Sequence, residues 1–210
     1  MGLPRSGSTL LCNILAQNPD FQVEHTNPLP SLLEALVTIW SQSPDIKGGL
    51  VPERKEETEG KLTRSAKAFC AAWNDTDKAV FNKSRGWAGN ILALRAVYPD
   101  AKVIVTVRDI REVFASFEKQ DQKNPLLRLG ATTILEKAHN MFSEKGMIGS
   151  CLNGVQDVLQ RKQEVFWFKY EDFVKDPAQM MNRLYCYLEL PEFEHDFENI
   201  VNTATDPDHL

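Results

Sequence analysis

The sequence has no long apolar run. None of its 210 residues falls in a stretch near the ~20 apolar positions that a membrane-spanning helix needs, and no charged-then-apolar leader opens it. Cysteine is scarce. Cys12, Cys70, Cys151 and Cys186 are scattered with no paired spacing, which excludes a zinc ribbon, a C-x-x-C redox motif and a disulfide scaffold. A basic excess is also missing. Lys and Arg number 24 against 29 Asp and Glu, a net charge of -5, so the chain is no general nucleic-acid binder. No internal repeat is evident. These absences favour a soluble, cytoplasmic chain with thiols kept reduced, no membrane partner and no nucleic-acid partner.

What remains is an ordinary globular composition, 42% hydrophobic and 25% charged. At this length one domain over residues 1–210 with its own core is expected. Apolar spacing predicts a helix over Thr9–Gln17, stopped by Asn18-Pro19-Asp20, then a short strand over Phe21–Glu24. Pro28–Pro30 reads as a turn, and Ser31–Ser41 as a helix capped by Ser31. Gly48–Gly60 is polar and reads as a loop, either solvated surface or a lid over substrate. Lys61–Trp73 follows as a helix, Ala79–Lys83 as a strand and Trp87–Val97 as a helix. Ala101–Val107 is the clearest strand, with Val103, Ile104, Val105 and Val107 in a near-continuous apolar run that suits a buried parallel strand. Glu112–Lys119 is helical. So is most of Ala131–Arg161, with a break near Gly146–Gly149. Glu164–Lys169 is a strand, and Ala178–Leu188 a helix after Asp176-Pro177.

Strand and helix alternate, so the expected class is α/β: a central parallel sheet flanked by helices in three P-loop-like layers. Ligands of such sheets bind beyond the C-terminal strand ends. Lys83, Arg108 and Tyr170 stand at such ends.

The chain opens on Gly2-Leu3-Pro4-Arg5-Ser6-Gly7-Ser8-Thr9. The spacing fits Gly-x-x-x-x-Gly ahead of a helix, with Ser8 where a Walker A loop carries Lys. Glycines let successive amides curl inward, and the helix N-terminus adds positive potential. Arg5 can supply the cation that the missing Lys would, with a fork that grips two oxygens. The bland alternative is a Gly-Ser turn with Ser8 or Thr9 as a plain N-cap.

Three segments, taken in order, resemble the sulfotransferases that use 3′-phosphoadenosine 5′-phosphosulfate. Pro4-Arg5-Ser6-Gly7-Ser8-Thr9 resembles their 5′-phosphosulfate loop. Val107-Arg108-Asp109-Ile110-Arg111-Glu112-Val113 through Ser116 is similar to their 3′-phosphate motif. Phe168-Lys169-Tyr170-Glu171-Asp172-Phe173 with Asp176-Pro177 is similar to a third family segment. The motif style is that of bacterial and tyrosylprotein-type members.

The resemblance implies a transferase that moves a sulfuryl group to a hydroxyl or amine of a small-molecule, glycan or peptide acceptor. The product would be adenosine 3′,5′-bisphosphate, with no metal ion. It implies donor binding by Pro4, Arg5, Ser6, Gly7, Ser8, Thr9, Arg108, Ser116 and Tyr170. Arg5 and Lys83 would stabilise charge on the leaving oxygens, and Glu24 or His25 would take the acceptor proton. Glu24 is favoured on position, since tyrosylprotein-type and many bacterial members place a catalytic Glu at this strand end; strand alternation turns one of the pair away, so only one is expected to serve.

Plainer readings stand beside these. The plain alternative for Arg108 is a salt bridge with Asp109 or Glu112, for Ser116 an exposed helix face, for Lys83 the surface, and for Glu24 and His25 a polar loop. Arg111 is balanced between phosphate contact and helix surface. Trp87 reads as core or as a stacking ring, and His139, His195 and His209 as surface. The resemblance also implies a first strand before Gly2 and a closing Gly- and Lys-containing segment at the C-terminus, so a domain without either is expected. A P-loop kinase or other nucleoside triphosphatase is the rival enzyme class. A non-catalytic nucleotide-binding module is the third reading. Acceptor identity and oligomeric state are left open.

Overall fold

A computed structural model describes residues 1–123 and 133–204. The chain runs α1 (Ser8–Leu15), β1 (Phe21–Glu24), α2 (Leu29–Gln42), α3 (Pro44–Gly49), α4 (Lys55–Asn74) and β2 (Ala79–Asn82). It continues through α5 (Gly86–Gly89), α6 (Ile91–Val97), β3 (Ile104–Val107), α7 (Ile110–Lys123), α8 (Ile134–Phe142) and α9 (Met147–Gln160). It ends with β4 (Phe166–Lys169), α10 (Tyr170–Lys175) and α11 (Pro177–Leu188).

The strands pair in parallel. β1 lies on β2 with Glu24 opposite Asn82, and β3 lies on β4 with Val107 opposite Lys169. Met1–Leu3 extends the second pair along the free edge of β3. Thr106 N–H donates to the Met1 carbonyl (2.9 Å) and Leu3 N–H to the Thr106 carbonyl (3.0 Å). Between β2 and β3 lies a cavity of about 310 Å³, walled by Val80, Phe81 and Asn82 on one side and Ile104 and Thr106 on the other.

The period-two pattern sorts the layers. Val105 and Trp167 point to a core shared with Leu33, Cys70, Ile91, Val155 and Val158 from α2, α4, α6 and α9. Ile104, Phe166 and Phe168 point to the opposite core, built on Ile14, Met181, Leu184 and Tyr185 from α1 and α11. Each fully buried aliphatic or aromatic side chain contributes ~1.5–3 kcal/mol by leaving water. The result is the expected α/β, three-layer P-loop-like fold.

Several boundaries differ from the sequence reading. α2 starts at Leu29, so Ser31 is not its cap. The Leu29 N–H is met by Asn27 Oδ1 at 2.8 Å, and Pro30 sits in the first turn, where a missing N–H costs nothing. The stretch Gly48–Gly60 is not one loop. α4 begins at Lys55 with Glu56 and Glu57 in its first turn, and i,i+4 pairs Lys55–Glu59 (3.8 Å) and Glu57–Lys61 (2.5 Å) support it.

Trp87–Val97 breaks at Asn90 into α5 and α6, with the Asn90 amide donating to the Gly86 carbonyl (3.1 Å). The break in the long helical region falls at Ser143–Gly146. The first two residues expected in that region, Ala131 and Thr132, lie outside the described residues, as does His209. His195 is not a surface residue. It is buried and its Nε2 lies 3.0 Å from the Tyr185 hydroxyl. Trp87 is core, 4% exposed, so it is no stacking ring.

Candidate active site

The loop ahead of α1 holds two residues in left-handed conformation, Arg5 at φ 56° and Gly7 at φ 86°. For Arg5 this costs on the order of 1–3 kcal/mol, a strain that persists only where the surroundings fix it. Gly7 is obligatory for a second reason: a Cβ there would stand 2.6 Å from Tyr170 Cδ2. The turn delivers the chain to α1 with no side chain capping the helix. The first-turn N–H groups of α1 therefore point out over the loop as anion donors.

Cations converge on these donors from both strand pairs. From the β3–β4 side, Arg108 lies over the Tyr170 ring, 4.4 Å from its centroid, and donates to the Arg5 carbonyl at 3.2 Å. Arg5 Nε donates to Ser116 Oγ of α7 at 3.1 Å. Loop, strand end and helix thus meet at one point. From the β1–β2 side, Lys83 Nζ donates to Thr9 Oγ1 at 2.8 Å. A cavity of about 650 Å³ opens over the group, within the ~300–1,000 Å³ usual for small-ligand sites.

The structure brings Pro4, Arg5, Gly7, Ser8, Thr9, His25, Lys83, Arg108, Ser116 and Tyr170 to this cavity. It does not bring Ser6 or Glu24. The Ser6 side chain is fully buried and tied to the Leu3 carbonyl (2.5 Å) and Thr106 Oγ1 (2.7 Å), locking the loop to β3. The Glu24 carboxylate accepts from the Asn27 amide, which also reaches Asn82. Of the Glu24–His25 pair, His25 lines the cavity and Glu24 does not. Arg111 is also elsewhere: its side chain is 87% exposed and it binds Asp109, whose carboxyl it holds at about 2. Arg108 does keep an outer contact to Glu112, at 3.5 Å.

Two features were missed in the sequence. Asn13 on α1 accepts both the N–H (3.2 Å) and the hydroxyl (3.3 Å) of Thr203 through Oδ1, and the Thr203 Oγ1 lies 2.9 Å from His25 Nε2. The Thr203 N–H identifies Oδ1 as the acceptor oxygen of Asn13. The Thr203 hydroxyl thus lies between Asn13 and the His25 ring and orients the imidazole. Residues 190 apart carry no joint signal in a single sequence. The second feature is charge. Among the described residues, Arg5, Lys83, Arg85 and Arg108 line the cavity and no Asp or Glu does, although the chain is net acidic.

The nearest thiol does not compete for chemistry. Burial pushes Cys12 up to about 11, an effect that Lys83 opposes, and all four cysteines are free. Among the described residues no group of three or more His, Cys, Asp or Glu could hold a metal ion, and no helix is long and apolar enough to cross a membrane.

Comparison with known proteins agrees with this geometry. Among solved structures, the fold is similar to the sulfotransferase domain from the curacin biosynthetic pathway. The identity is 19% over 92% of this chain and 73% of that one, with a TM-score of 0.55. It is also similar to the sulfotransferase domain from the Synechococcus PCC 7002 olefin synthase. There the identity is 20% over 92% and 72% of the two chains, with a TM-score of 0.53. A search of curated proteins gave no match. The family described as "Sulfotransferase family" matches residues 1–195. The family match, over a glycine-bounded loop without the Walker lysine and cations from two strand ends, leads to one statement: the chain belongs to the sulfotransferase family.

Proposed function

We propose that the protein transfers a sulfuryl group from 3′-phosphoadenosine 5′-phosphosulfate to a hydroxyl or amine of a small-molecule, glycan or peptide acceptor, without a metal ion. The observation that carries this reading is the carboxylate-free cavity, where Arg5, Lys83, Arg108 and Ser116 surround the uncapped N-terminus of α1. A donor with anions at two ends needs two separated cation sets, and the β3–β4 and β1–β2 sides supply them.

When bound, the donor supplies the sulfur: the acceptor oxygen bonds to it while the bond to the bridging phosphate oxygen breaks, its electron pair staying on adenosine 3′,5′-bisphosphate. The chain's own groups serve that exchange. Arg108 and Ser116 hold the 3′-phosphate, and the Tyr170 ring under Arg108 keeps the guanidinium flat and oriented. The α1 N–H groups with Ser8 and Thr9 hold the 5′ end. Lys83 and Arg5 neutralise charge as it builds on the leaving oxygen; losing such a group costs a factor of about a hundred to a thousand in rate. His25 takes the acceptor proton; it lines the cavity where Glu24 does not, and imidazole is a common general base.

Transfer from labelled donor to a panel of phenols, glycans and tyrosyl peptides tests the reading. A companion thermal-shift measurement should show stabilisation by adenosine 3′,5′-bisphosphate without magnesium. Stabilisation only by magnesium-ATP would overturn it in favour of a P-loop kinase, and bisphosphate binding with no transfer to any acceptor would mark a non-catalytic module.

A further inference from the structure

Three of the four cavity cations are already engaged. Arg5 is on Ser116, Lys83 on Thr9, and Arg108 on the Arg5 carbonyl and Tyr170. Arg85 is different. It lines the same cavity, yet among the described residues its guanidinium has no hydrogen-bond or ion-pair partner. Its position is built by the fold. The exits of β1 and β2 form one wall, stitched by Lys83 N–H to the Glu24 carbonyl (3.0 Å) and Asn27 N–H to the Lys83 carbonyl (3.0 Å). That wall carries His25, Lys83 and Arg85. The opposite wall carries Arg108, Ser116 and Tyr170. The donor's phosphates are accounted for by the loop and the opposite wall, with Lys83 at the reacting end. Arg85 therefore lies on the acceptor side, beside the proposed base.

We propose that Arg85 reads a negative charge on the acceptor, so that the preferred substrate is a hydroxyl compound bearing a carboxylate or another anionic group. This rests on the transfer reading above. Two residues of chain span at most about 7 Å, so an anion held by Arg85 sits within one small-molecule length of a hydroxyl facing Lys83 and His25. The carboxylate-free lining suits such an acceptor doubly. No wall repels it, and the forked guanidinium can take both carboxylate oxygens. A neutral acceptor would leave the Arg85 charge without a counter-ion next to a bound polyanion's cation set.

The test compares 4-hydroxyphenylacetate with its methyl ester, which differ in that one charge. Wild-type protein should show a KM for the acid about tenfold below that for the ester, the size of one charge-assisted hydrogen bond. Arg85→Gln should bring the KM ratio of the two acceptors near one, and Arg85→Lys should restore part of the preference. A ratio unchanged in Arg85→Gln, or a wild type that prefers the ester, overturns the proposal while leaving sulfuryl transfer intact. Should neither compound be sulfated, the transfer reading rests on the wider acceptor panel and calorimetry decides this one. With the protein saturated by adenosine 3′,5′-bisphosphate, 4-hydroxyphenylacetate should bind about tenfold more weakly to Arg85→Gln than to wild type. Equal binding would refute the assignment.

Discussion

At the scale of single residues, the proposed function divides labour between holding the donor and moving a proton. Under that proposal Arg108, anchored by Tyr170 and the Arg5 carbonyl, holds the donor. Arg108→Ala should weaken adenosine 3′,5′-bisphosphate binding about ten- to a hundredfold in titration calorimetry, and His25→Gln should weaken it far less. Equal losses would refute the division. The proposed base His25 is oriented by Thr203, whose Oγ1 lies 2.9 Å from its Nε2. Thr203→Val should lower kcat several-fold at nearly constant acceptor KM, while Thr203→Ser keeps both; a loss confined to KM would make Thr203 a contact for the acceptor instead. Most of these side chains were legible because they sit in or beside one glycine-bounded loop and at strand ends. Ser6 was not separable from its neighbours by spacing alone, since only the fold shows its hydroxyl turned under the loop to Thr106. The Glu24–His25 choice needed the fold itself, and the Thr203 contact spans the whole chain.

Elements of this chain are set by local chemistry that the apolar pattern underweights. β1 was read to the residue, because Phe21–Glu24 is bounded by turn residues. α4 was read seven residues too short, six of them at its N-terminus. Its first turns hold charged side chains that look like loop in a hydrophobicity profile, yet their i,i+4 pairs favour the helix. α2 was misplaced because Asn27, not Ser31, meets its first free N–H. Helix α7 shows a different dependence. It presents Ser116 to the cavity, and one turn further on Glu118 and Asp121 both bind Lys137 of α8, with the Glu118 contact at 2.6 Å. The Lys137 side chain is 9% exposed. Burial works against its charge, but the hydrogen bonds from Asp121 and Glu118 outweigh it and its pKa is raised. Lys137→Ala leaves two carboxylates facing each other without a cation, a loss of about 3 kcal/mol in urea unfolding. A loss under about 1 kcal/mol would show that water replaces the lysine.

Over the whole molecule, the class and layers were readable from the strand–helix alternation. The separation of the strands into two pairs was not, because pairing depends on which edges meet and not on pattern. The same holds for the C-terminal stretch around His195, which joins the α1–α11 core through Tyr185, with Phe193 and Phe197 against its ring. Burial lowers the His195 pKa, partly offset by a bond with the Ile14 backbone. The unfolded chain thus binds a proton more readily than the folded one. Stability from this group is fully present above about pH 6.5, the ordinary histidine value, and is lost as pH falls below it. The urea midpoint should therefore drop between pH 7 and pH 5, and His195→Gln should flatten that slope. An identical slope in the variant would assign the effect to other groups.

The lining without carboxylates has a kinetic consequence. A molecule of net charge -5 repels polyanions from most directions, yet it presents four cations at one mouth. Such a contrast focuses field lines and guides an approaching anion to that opening. Capture of adenosine 3′,5′-bisphosphate in stopped flow should therefore slow as salt shortens the screening length from ~30 Å at 0.01 M to ~10 Å at 0.1 M. Escape, governed by contacts inside the mouth, should change little. The acidic exterior and the basic mouth then act together as a filter on encounter.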